Sequence, residues 1–507
     1  MKKFFKIWSV ALLGVMGMTM SSCSDNNDNN KSNNNLDPYE QDWQGKTAKY
    51  TIMLYGCGGG DIDEVQFLNA IPYVQDRLNV EGNQVRFVVM YSMSKDDSKY
   101  REAAKKNRES YTGPFTPSYG EWGKTYRYEI TPYITKENYH DYGYYDEAKN
   151  VELYDVETIK EYIKWAKETA PAENYILMPI NHGGGFDLDN EEIKSRAIAY
   201  DDNQADEEGH APGIPTKAFA QALEETDTHL KAIYWNGCMM GQLEVMTEVA
   251  PYCDYQFCGA HLQYAIERHI YAIVEALNTY PDANDFEKAA LVQSGILDGP
   301  SKGDDTSFSD ALLNQSIGTK MINANGDFGC WRSSGLAAIN AQVARLAAVL
   351  EEGYQDISDG GGRDKIDMAT RHVYMFDNDN KFIDVLDYAL WSYHYLQTNE
   401  TASIYNELEL ALNKANVYQF CRLNRKIVND GGKTVYYKWP ATNRYSLGIS
   451  LYDQMSQTWK EFNEIYKASA FDKTTGWSKF LDRNLQEVEA TTNPCNESSI
   501  IPFWLLD

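Results

Sequence analysis

The chain of 507 residues has few basic residues for its size, with 47 lysines and arginines against 74 aspartates and glutamates and a net charge of −27. A surface of this charge repels phosphate groups, so we predict that nucleic acid is not a partner. The acidity keeps the protein soluble and says little about its chemistry. Because 43% of the residues are hydrophobic, the chain can build a large core and two folded units.

Cysteine is also scarce, and no two cysteines have the C-x-x-C spacing of a structural zinc site. An odd number of cysteines remains beyond the N-terminal region, so they cannot all pair as disulfides and at least one thiol needs another explanation. These cysteines are Cys57, Cys238, Cys253, Cys258, Cys330, Cys421 and Cys495.

The N-terminal region has the layout of an export signal. Residues 7–20 are apolar and follow three lysines, and the run is too short for a comfortable membrane span. It ends in MSSC, which resembles a bacterial lipobox, so we predict a lipoprotein signal peptide over residues 1–23 with Cys23 acylated. The polar, Asn-rich residues 24–45 are a tether. We therefore expect an exported protein that its lipid anchor holds at the outer membrane, on the cell surface. An ordinary signal peptide with an incidental cysteine is the alternative.

The pattern up to about residue 300 predicts an α/β fold. Apolar runs rich in β-branched and aromatic residues alternate with amphipathic helices, as in a mostly parallel sheet that is flanked by helices. The clearest helix covers residues 156–169, where one face carries Ile159, Tyr162, Ile163 and Ala166. The predicted strands are residues 49–56, 84–92, 174–181 and 230–237.

The composition changes near residue 300, which predicts two domains. The first covers residues 46–300, with residues 93–150 as an insertion because they are aromatic, polar and rich in Gly and Pro. The second, residues 301–507, is rich in helices. The predicted elements of the second domain are helices over 335–354, 382–397 and 403–420 and a strand over 445–452.

Two reactive side chains stand where predicted strands end. His182 follows one strand and precedes three glycines, and Cys238 follows another. Because the carboxyl ends of parallel strands meet at one edge of the sheet, an imidazole and a thiol come together there, as a proton carrier and a nucleophile. The amides of Gly183 and Cys238 are candidates for an oxyanion hole. We also place Cys238 at the N-terminus of a helix over residues 239–250, which favours the thiolate. A packing cysteine and a histidine in a turn remain the alternative.

The segments NHGGGF and NGCMMGQLE, together with AIAYDDN between them, resemble the clostripain family of cysteine peptidases, within the caspase–gingipain–legumain group. The resemblance implies a caspase-like (caspase–haemoglobinase) fold, with residues 46–300 as the catalytic domain and a helix-rich C-terminal domain. It implies a Cys–His dyad in which Cys238 forms an acyl-enzyme and His182 protonates the leaving group. The substrate is then a protein or peptide. Members of the family cleave after Arg or Lys, many mature by internal cleavage, and calcium stimulates some of them.

The sequence departs from this family at the position that governs specificity. The family has Asp two residues before the nucleophile, as a partner for a basic P1 side chain, and here that substrate-binding position is Asn236. Loss of such an ion pair costs about 2–5 kcal/mol, which weakens the expectation of a basic P1 residue. Glu267 is another candidate acid for the pocket. Residues 187–213 include Lys194 and Arg196 and are the candidate processing loop.

No metal site and no required cofactor are predicted, and a stimulating calcium ion stays open. The acidic residues 201–208 are interpreted as a solvated loop, and residues 377–384 lack the glycine and the final Glu of a calcium loop. An aromatic content of 13% leaves a second function open, that of a non-catalytic surface lipoprotein binding glycan or protein. An amidase or transpeptidase with the same thioester chemistry is a third.

Overall fold

The structure is a computed structural model. It describes residues 43, 45–57, 63–92, 125–133, 146–148, 151–186, 197–198, 201, 204, 212–261, 267–294, 326–376, 382–422, 424–428, 434–438, 447–452 and 457–482. The predicted signal peptide, the predicted acylation site Cys23 and most of the predicted tether lie outside these ranges. The candidate processing loop and both acidic loops lie largely outside them as well.

A nine-stranded sheet forms the centre of the described structure, with the strand order β12-β10-β9-β8-β5-β1-β2-β3-β4. Its strands are β1 (Ala48–Cys57), β2 (Val85–Ser92), β3 (Thr125–Ile130), β4 (Asp146–Ala148), β5 (Ala172–Ile180), β8 (Leu230–Tyr234), β9 (Cys253–Cys258), β10 (Gly326–Arg332) and β12 (Asn416–Arg422). The remaining strands form three small two-stranded sheets: β6 (Ala197–Ile198) with β7 (Ile214–Pro215), β11 (Phe382–Asp384) with β15 (Gly448–Ser450), and β13 (Asn424–Val428) with β14 (Thr434–Lys438).

The five central strands of the sheet are parallel, which confirms the predicted fold class. β1 pairs in parallel with β2 and β5, β5 with β8, and β8 with β9. The outer strands β3, β4, β10 and β12 are antiparallel to their neighbours. Every residue of β2 is buried, as expected of a strand that is covered on both faces. All four predicted strands before residue 300 are present in the sheet.

Helices cover both faces of the sheet. They are α1 (Asp63–Leu78), α2 (Val156–Thr169), α3 (Thr216–Glu225), α4 (Leu243–Val249), α5 (Glu267–Thr279), α6 (Phe286–Gln293), α7 (Leu336–Gly353), α8 (Gly362–His372), α9 (Val385–Leu396), α10 (Asn399–Ala415), α11 (Gln457–Lys467), α12 (Ala470–Thr475) and α13 (Trp477–Leu481). Alternate residues of the central strands belong to two separate hydrophobic clusters, one on each face.

Helix α2 shows how the sequence sets one of these packed faces. Asp155 caps its N-terminus, where a side-chain oxygen accepts the N–H of Glu157 at 3.0 Å. The buried residues are the four that the periodicity predicts: Ile159, Tyr162, Ile163 and Ala166. The apolar stripe therefore fixed both the extent and the orientation of this helix.

The region beyond residue 300 differs from prediction in two places. The predicted helix over 382–397 begins as strand β11 and becomes helix α9 only at Val385. The predicted helix over 403–420 ends at Ala415, and the next residues form the edge strand β12. β10 and β12 belong to the same sheet as the strands before residue 300, and β3 and β4 lie within the predicted insertion 93–150. The division into domains stays a prediction.

Among the described residues, one helix is long and apolar enough by composition to cross a bilayer, Ser333–Gly353. Its buried residues include Ile339, Val343, Leu346 and Leu350, a spacing that places them on one face. That face packs into the hydrophobic core of the protein, as in an ordinary core helix.

Candidate active site

The carboxyl ends of the neighbouring strands β5 and β8 lie side by side. Pairing continues past both strands, because Asn236 donates its N–H to the carbonyl of Pro179 at 3.0 Å and bridges Ile180. The N–H of Asn181 in turn donates to the carbonyl of Asn236 at 3.4 Å. This pairing brings the chain at His182 and the chain at Cys238 to one edge of the sheet, as the sequence predicts.

The loop after His182 lies directly on the turn that carries Cys238. We call residues 182–186 the His loop and residues 237–241 the Cys turn. A Cβ atom placed on Gly183 would lie 2.2 Å from the carbonyl oxygen and 2.7 Å from the backbone nitrogen of Cys238. Only glycine fits this approach, because real Cβ atoms do not come that close to backbone. His182 is exposed and Cys238 is partly exposed, so solvent reaches both candidates.

Backbone strain accompanies both candidate residues. Asn181 has a φ of 132° immediately before His182, and Met239 has a φ of 55° immediately after Cys238. Positive φ is uncommon for residues other than glycine and clusters at functional sites. In both cases hydrogen bonds to neighbouring segments hold the conformation in place.

The predicted helix N-terminus at Cys238 is wrong. Helix α4 begins at Leu243, and Cys238 belongs to the preceding turn. The turn instead bonds to the chain after β9: the N–H of Met239 donates to the carbonyl of His261 at 3.0 Å, and that of Gly241 to the carbonyl of Gly259 at 2.7 Å. Met239 has a φ of 55°, which a right-handed helix does not allow, and these hydrogen bonds hold the turn in that conformation, so the helix starts only after the turn.

Exposure distinguishes Cys238 from the other thiols whose side chains the structure describes. Cys253, Cys258 and Cys330 are buried, and none of the four is in a disulfide. Burial raises the pKa of Cys253 to about 12 and those of Cys258 and Cys330 well above the usual range. Those three remain protonated and unreactive at neutral pH, whereas Cys238 is accessible.

A buried carboxyl group that the sequence analysis does not single out, that of Asp327, holds the segment to which the Cys turn is hydrogen-bonded. Asp327, in β10, accepts the N–H of Ala260 at 2.9 Å and that of His261 at 2.7 Å. Burial raises its pKa to about 7, against the opposing effect of these two hydrogen bonds, and nearby Asp384 raises it further. Since the carbonyl of His261 holds Met239, Asp327 is linked to Cys238 through one short segment. No local pattern in β10 marks this residue.

Two further polar residues connect the segment after Cys238 to other parts of the chain: Gln242 to the His loop and Glu244 to the C-terminal part. Gln242 accepts the N–H of Phe186 at 2.7 Å through its side-chain oxygen. The carboxylate of Glu244 accepts the N–H of Ser450 at 2.9 Å and the hydroxyl of Tyr466 at 2.7 Å, and burial raises its pKa. Both residues occur in the segment NGCMMGQLE. The sequence feature that could have identified them is a polar residue among apolar neighbours, which both of them are.

Asn236 lies beside the dyad candidates, on the extension of β8. It is half-buried, and its side-chain Nδ2 is buried without a hydrogen-bond partner in the described part of the chain. The side chain of Glu267 lies outside the described residues. Within the described part of the chain, no three or more His, Cys, Asp or Glu residues form a group that could hold a metal ion.

Comparison with known proteins gives the same family as the sequence motifs. The model of the clostripain family matches residues 143–484, a range that includes both the His loop and the Cys turn. The chain belongs to the clostripain family. Clostripain from Hathewaya histolytica is 30% identical over 97 residues, which cover 19% of this chain and 18% of clostripain. The sequence match thus spans less than a fifth of that relative.

Solved structures of the family share the fold. A secreted C11 cysteine protease from Bacteroides thetaiotaomicron, in complex with an irreversible peptide inhibitor, superposes with a TM-score of 0.54 at 13% identity, over 85% of this chain and 99% of that one. An inactive zymogen C11 protease from Parabacteroides distasonis gives a TM-score of 0.50 at 16% identity, with the same two coverages. At these identities the likeness establishes the caspase-like fold.

Proposed function

We propose that this member of the clostripain family is a cysteine endopeptidase that uses Cys238 as nucleophile and His182 as proton carrier. The supporting observation is the packing of Gly183 on the backbone of Cys238, which places the imidazole-bearing loop against the thiol-bearing turn. A dyad requires these two side chains at one site, and a cysteine that served only the core would not need an exposed histidine beside it.

The proposed reaction has two steps. The Cys238 thiolate attacks the carbonyl carbon of the scissile bond, and the amides of Gly183 and Cys238 donate hydrogen bonds to the oxyanion that forms. His182 gives a proton to the departing amine as the C–N bond breaks, which leaves an acyl-enzyme. His182 then takes a proton from water, whose oxygen attacks the thioester, and the C–S bond breaks to release the acid and regenerate the Cys238 thiolate beside protonated His182. No cofactor enters this scheme, and a stimulating calcium ion stays an untested expectation.

Asn236 is the proposed substrate-binding residue and the reason to expect an altered P1 preference. In this position an amide side chain can hydrogen-bond a guanidinium group but adds no negative charge. Discrimination in favour of Arg or Lys is then weaker than an aspartate would give, by about 2–5 kcal/mol for a buried pair. We propose that P1 residues without charge are accepted as well.

We further propose export and attachment to the outer membrane through a lipid on Cys23, and maturation by cleavage within residues 187–213. Both rest on sequence features, the lipobox-like MSSC and the basic residues Lys194 and Arg196. If the P1 preference has changed, cleavage after those two basic residues need not be autocatalytic.

The alternative function, a non-catalytic lipoprotein that binds glycan or protein, relies on exposed aromatic side chains. Within the described residues the largest aromatic side chains are buried, and Tyr73 and Tyr393 are the aromatic residues that count as large exposed hydrophobics. The core therefore accounts for much of the aromatic content.

The deciding experiment is to incubate the purified chain, beside a Cys238→Ala variant, with a peptide library that varies at P1. Cleaved bonds are identified by mass spectrometry. Cleavage by the wild type that the variant lacks supports the proposal, and the cleaved bonds report P1. Absence of cleavage at every P1 residue, together with a Cys238 that resists iodoacetamide, would favour the binding protein.

A further inference from the structure

We infer that Gln242 is a positioning residue that fixes the His loop against the Cys turn, and this inference rests on the proposed dyad. Gln242 is fully buried and lies four residues after Cys238, directly before helix α4. Phe186 lies four residues after His182. The hydrogen bond between Gln242 and Phe186 therefore joins the two segments at points equally far along the chain from the two reactive residues. Gln242 and Phe186 are 56 residues apart in sequence, as are Cys238 and His182.

Both backbone polar groups of Phe186 are held. Its N–H donates to the Oε1 of Gln242 at 2.7 Å, and its carbonyl accepts the hydroxyl of Tyr452 at 2.7 Å. All three residues are buried, so these bonds are sheltered from water. The end of the His loop is thus fixed from two sides, by the segment after Cys238 and by the C-terminal part of the chain.

The amide of Gln242 also sets the path of the loop by contact. Gly185 has a φ of 63°, and a Cβ atom there would lie 2.3 Å from the Nε2 and 2.7 Å from the Oε1 of Gln242. The loop backbone passes directly over the flat face of the amide. A side chain at Gly185, or a bulkier group at Gln242, would lift the loop.

The backbone of Gln242 is anchored as firmly as its side chain. It bridges Gly448 in parallel, the N–H of Gly448 donates to the carbonyl of Gly241 at 2.9 Å, and the carbonyl of Gln242 accepts the N–H of Met246 at 2.9 Å. The side chain therefore projects from a fixed point. Rigid support of this kind is what holds reacting groups in a productive geometry.

The orientation of the amide follows from chemistry, because only an oxygen can accept the N–H of Phe186. The Nε2 group is then left without a hydrogen-bond partner among the described residues. A buried donor without a partner destabilises the fold. An apolar side chain here would avoid that cost but would leave the buried N–H of Phe186 without its acceptor, so the hydrogen bond to the His loop is what glutamine supplies at this position. A requirement to hold the His loop explains why glutamine is tolerated.

The test is the pH profile of Cys238 alkylation by iodoacetamide, read on the Cys238 peptide by mass spectrometry. The variants are Gln242→Met, which removes the acceptor, and His182→Ala, which removes the imidazole. The matched control is Gln293→Met, because Gln293 is also buried and bonds Tyr234 and Tyr418, which belong to the hydrophobic cluster on the other face of the sheet. If Gln242 positions the loop, its variant shifts the profile toward that of His182→Ala and the control keeps the wild-type profile.

Turnover of the cleaved peptide separates positioning from folding. We expect Gln242→Met to lower kcat by about 10²-fold with KM changed by less than about threefold, since misplacement of a reacting group by about 1 Å has an effect of that size. Gln242→Glu keeps an acceptor toward Phe186, and its protonated form avoids placing a charge at this buried position. Its activity relative to wild type should therefore rise as the pH falls.

The outcomes are distinguishable. A wild type that cleaves nothing overturns the proposed peptidase, while the alkylation profile still decides on Gln242. A Gln242→Met profile equal to wild type overturns the inference, as does a wild-type profile that is independent of His182. If Gln242→Met does not fold, Tyr452→Phe removes only the hydroxyl that holds the Phe186 carbonyl. That variant must then shift the profile in the same direction, and an unchanged profile overturns the inference.

Discussion

The substitution Gly183→Ala tests the contact on which the proposed active site depends. The new Cβ would lie 2.2 Å from the Cys238 carbonyl oxygen, whereas ordinary contact begins at 3.4 Å, so the two segments must separate by 1.2 Å, the difference between these distances. The obstructing atoms are backbone atoms of residues 237–238. The hydrogen bonds of Met239 and Gly241 to the 259–261 segment hold that backbone in place, so we expect the His loop to move.

A displacement of this size has a calculable consequence. We expect kcat/KM to fall by about 10²-fold or more, equivalent to about 3 kcal/mol of transition-state stabilisation. Forcing a methyl group into packed structure should also lower the free energy of unfolding by about 1–3 kcal/mol. Gly183 does not have a positive φ, so both effects come from the contact alone.

The assays are steady-state hydrolysis of the best library peptide and urea unfolding. Gly360→Ala is the control, because Gly360 has a φ of 69° and nothing within 4 Å of its would-be Cβ. That variant should lose about 1–2 kcal/mol of stability from backbone strain and keep its activity. If Gly183→Ala retains kcat/KM within about threefold of wild type, the close approach of the His loop to Cys238 does not govern catalysis and the reasoning fails.

Three further predictions concern specificity and stability. Asn236→Asp should raise kcat/KM for peptides with Arg or Lys at P1, relative to neutral P1 residues, by about tenfold or more in the library assay, because it adds a counter-charge. Asp327→Asn should flatten the dependence of unfolding free energy on pH between about 4 and 7, measured by urea unfolding, since burial raises the pKa of Asp327 from 3.8 to about 7. Tyr466→Phe should lower the unfolding free energy by about 1–3 kcal/mol in the same experiment, because the buried carboxylate of Glu244 loses a hydrogen bond.

The sign of the Asp327 effect follows from linkage. The folded state binds this proton more tightly than the unfolded state, so the contribution to stability is fully present below about pH 4 and is lost as the pH rises through about 7. A difference of about three between the two pKa values corresponds to about 4 kcal/mol. An Asp327→Asn variant whose unfolding free energy depends on pH as in the wild type would show that other groups determine this pH dependence.

An Asn236→Asp variant with an unchanged ratio of kcat/KM between basic and neutral P1 residues would remove that residue from the substrate pocket. An unaltered urea midpoint in Tyr466→Phe would contradict a stabilising hydrogen bond between Tyr466 and Glu244.

The parts of the fold that were predicted well are those with a strong local pattern. The four predicted strands before residue 300 are apolar almost throughout, as is typical of a parallel sheet that is covered on both faces. Helix α2 has a regular apolar stripe and an Asp cap, so its limits follow from residues close in sequence. The parts predicted wrongly lack this local information. Residues 416–420 continue the apolar character of helix α10, and only the pairing of β12 with β10 makes them a strand.

The sequence by itself placed His182 and Cys238 at the same edge of one sheet, because alternation of strands with helices implies parallel strands whose carboxyl ends lie together. It did not determine how those ends meet. The start of α4 at Leu243 depends on hydrogen bonds from the Cys turn to residues 259–261, and the supporting roles of Gln242 and Asp327 depend on partners far away in the chain. Such contacts join residues between 18 and 67 positions apart in the chain, and no local propensity encodes them. The tertiary structure alone decided them.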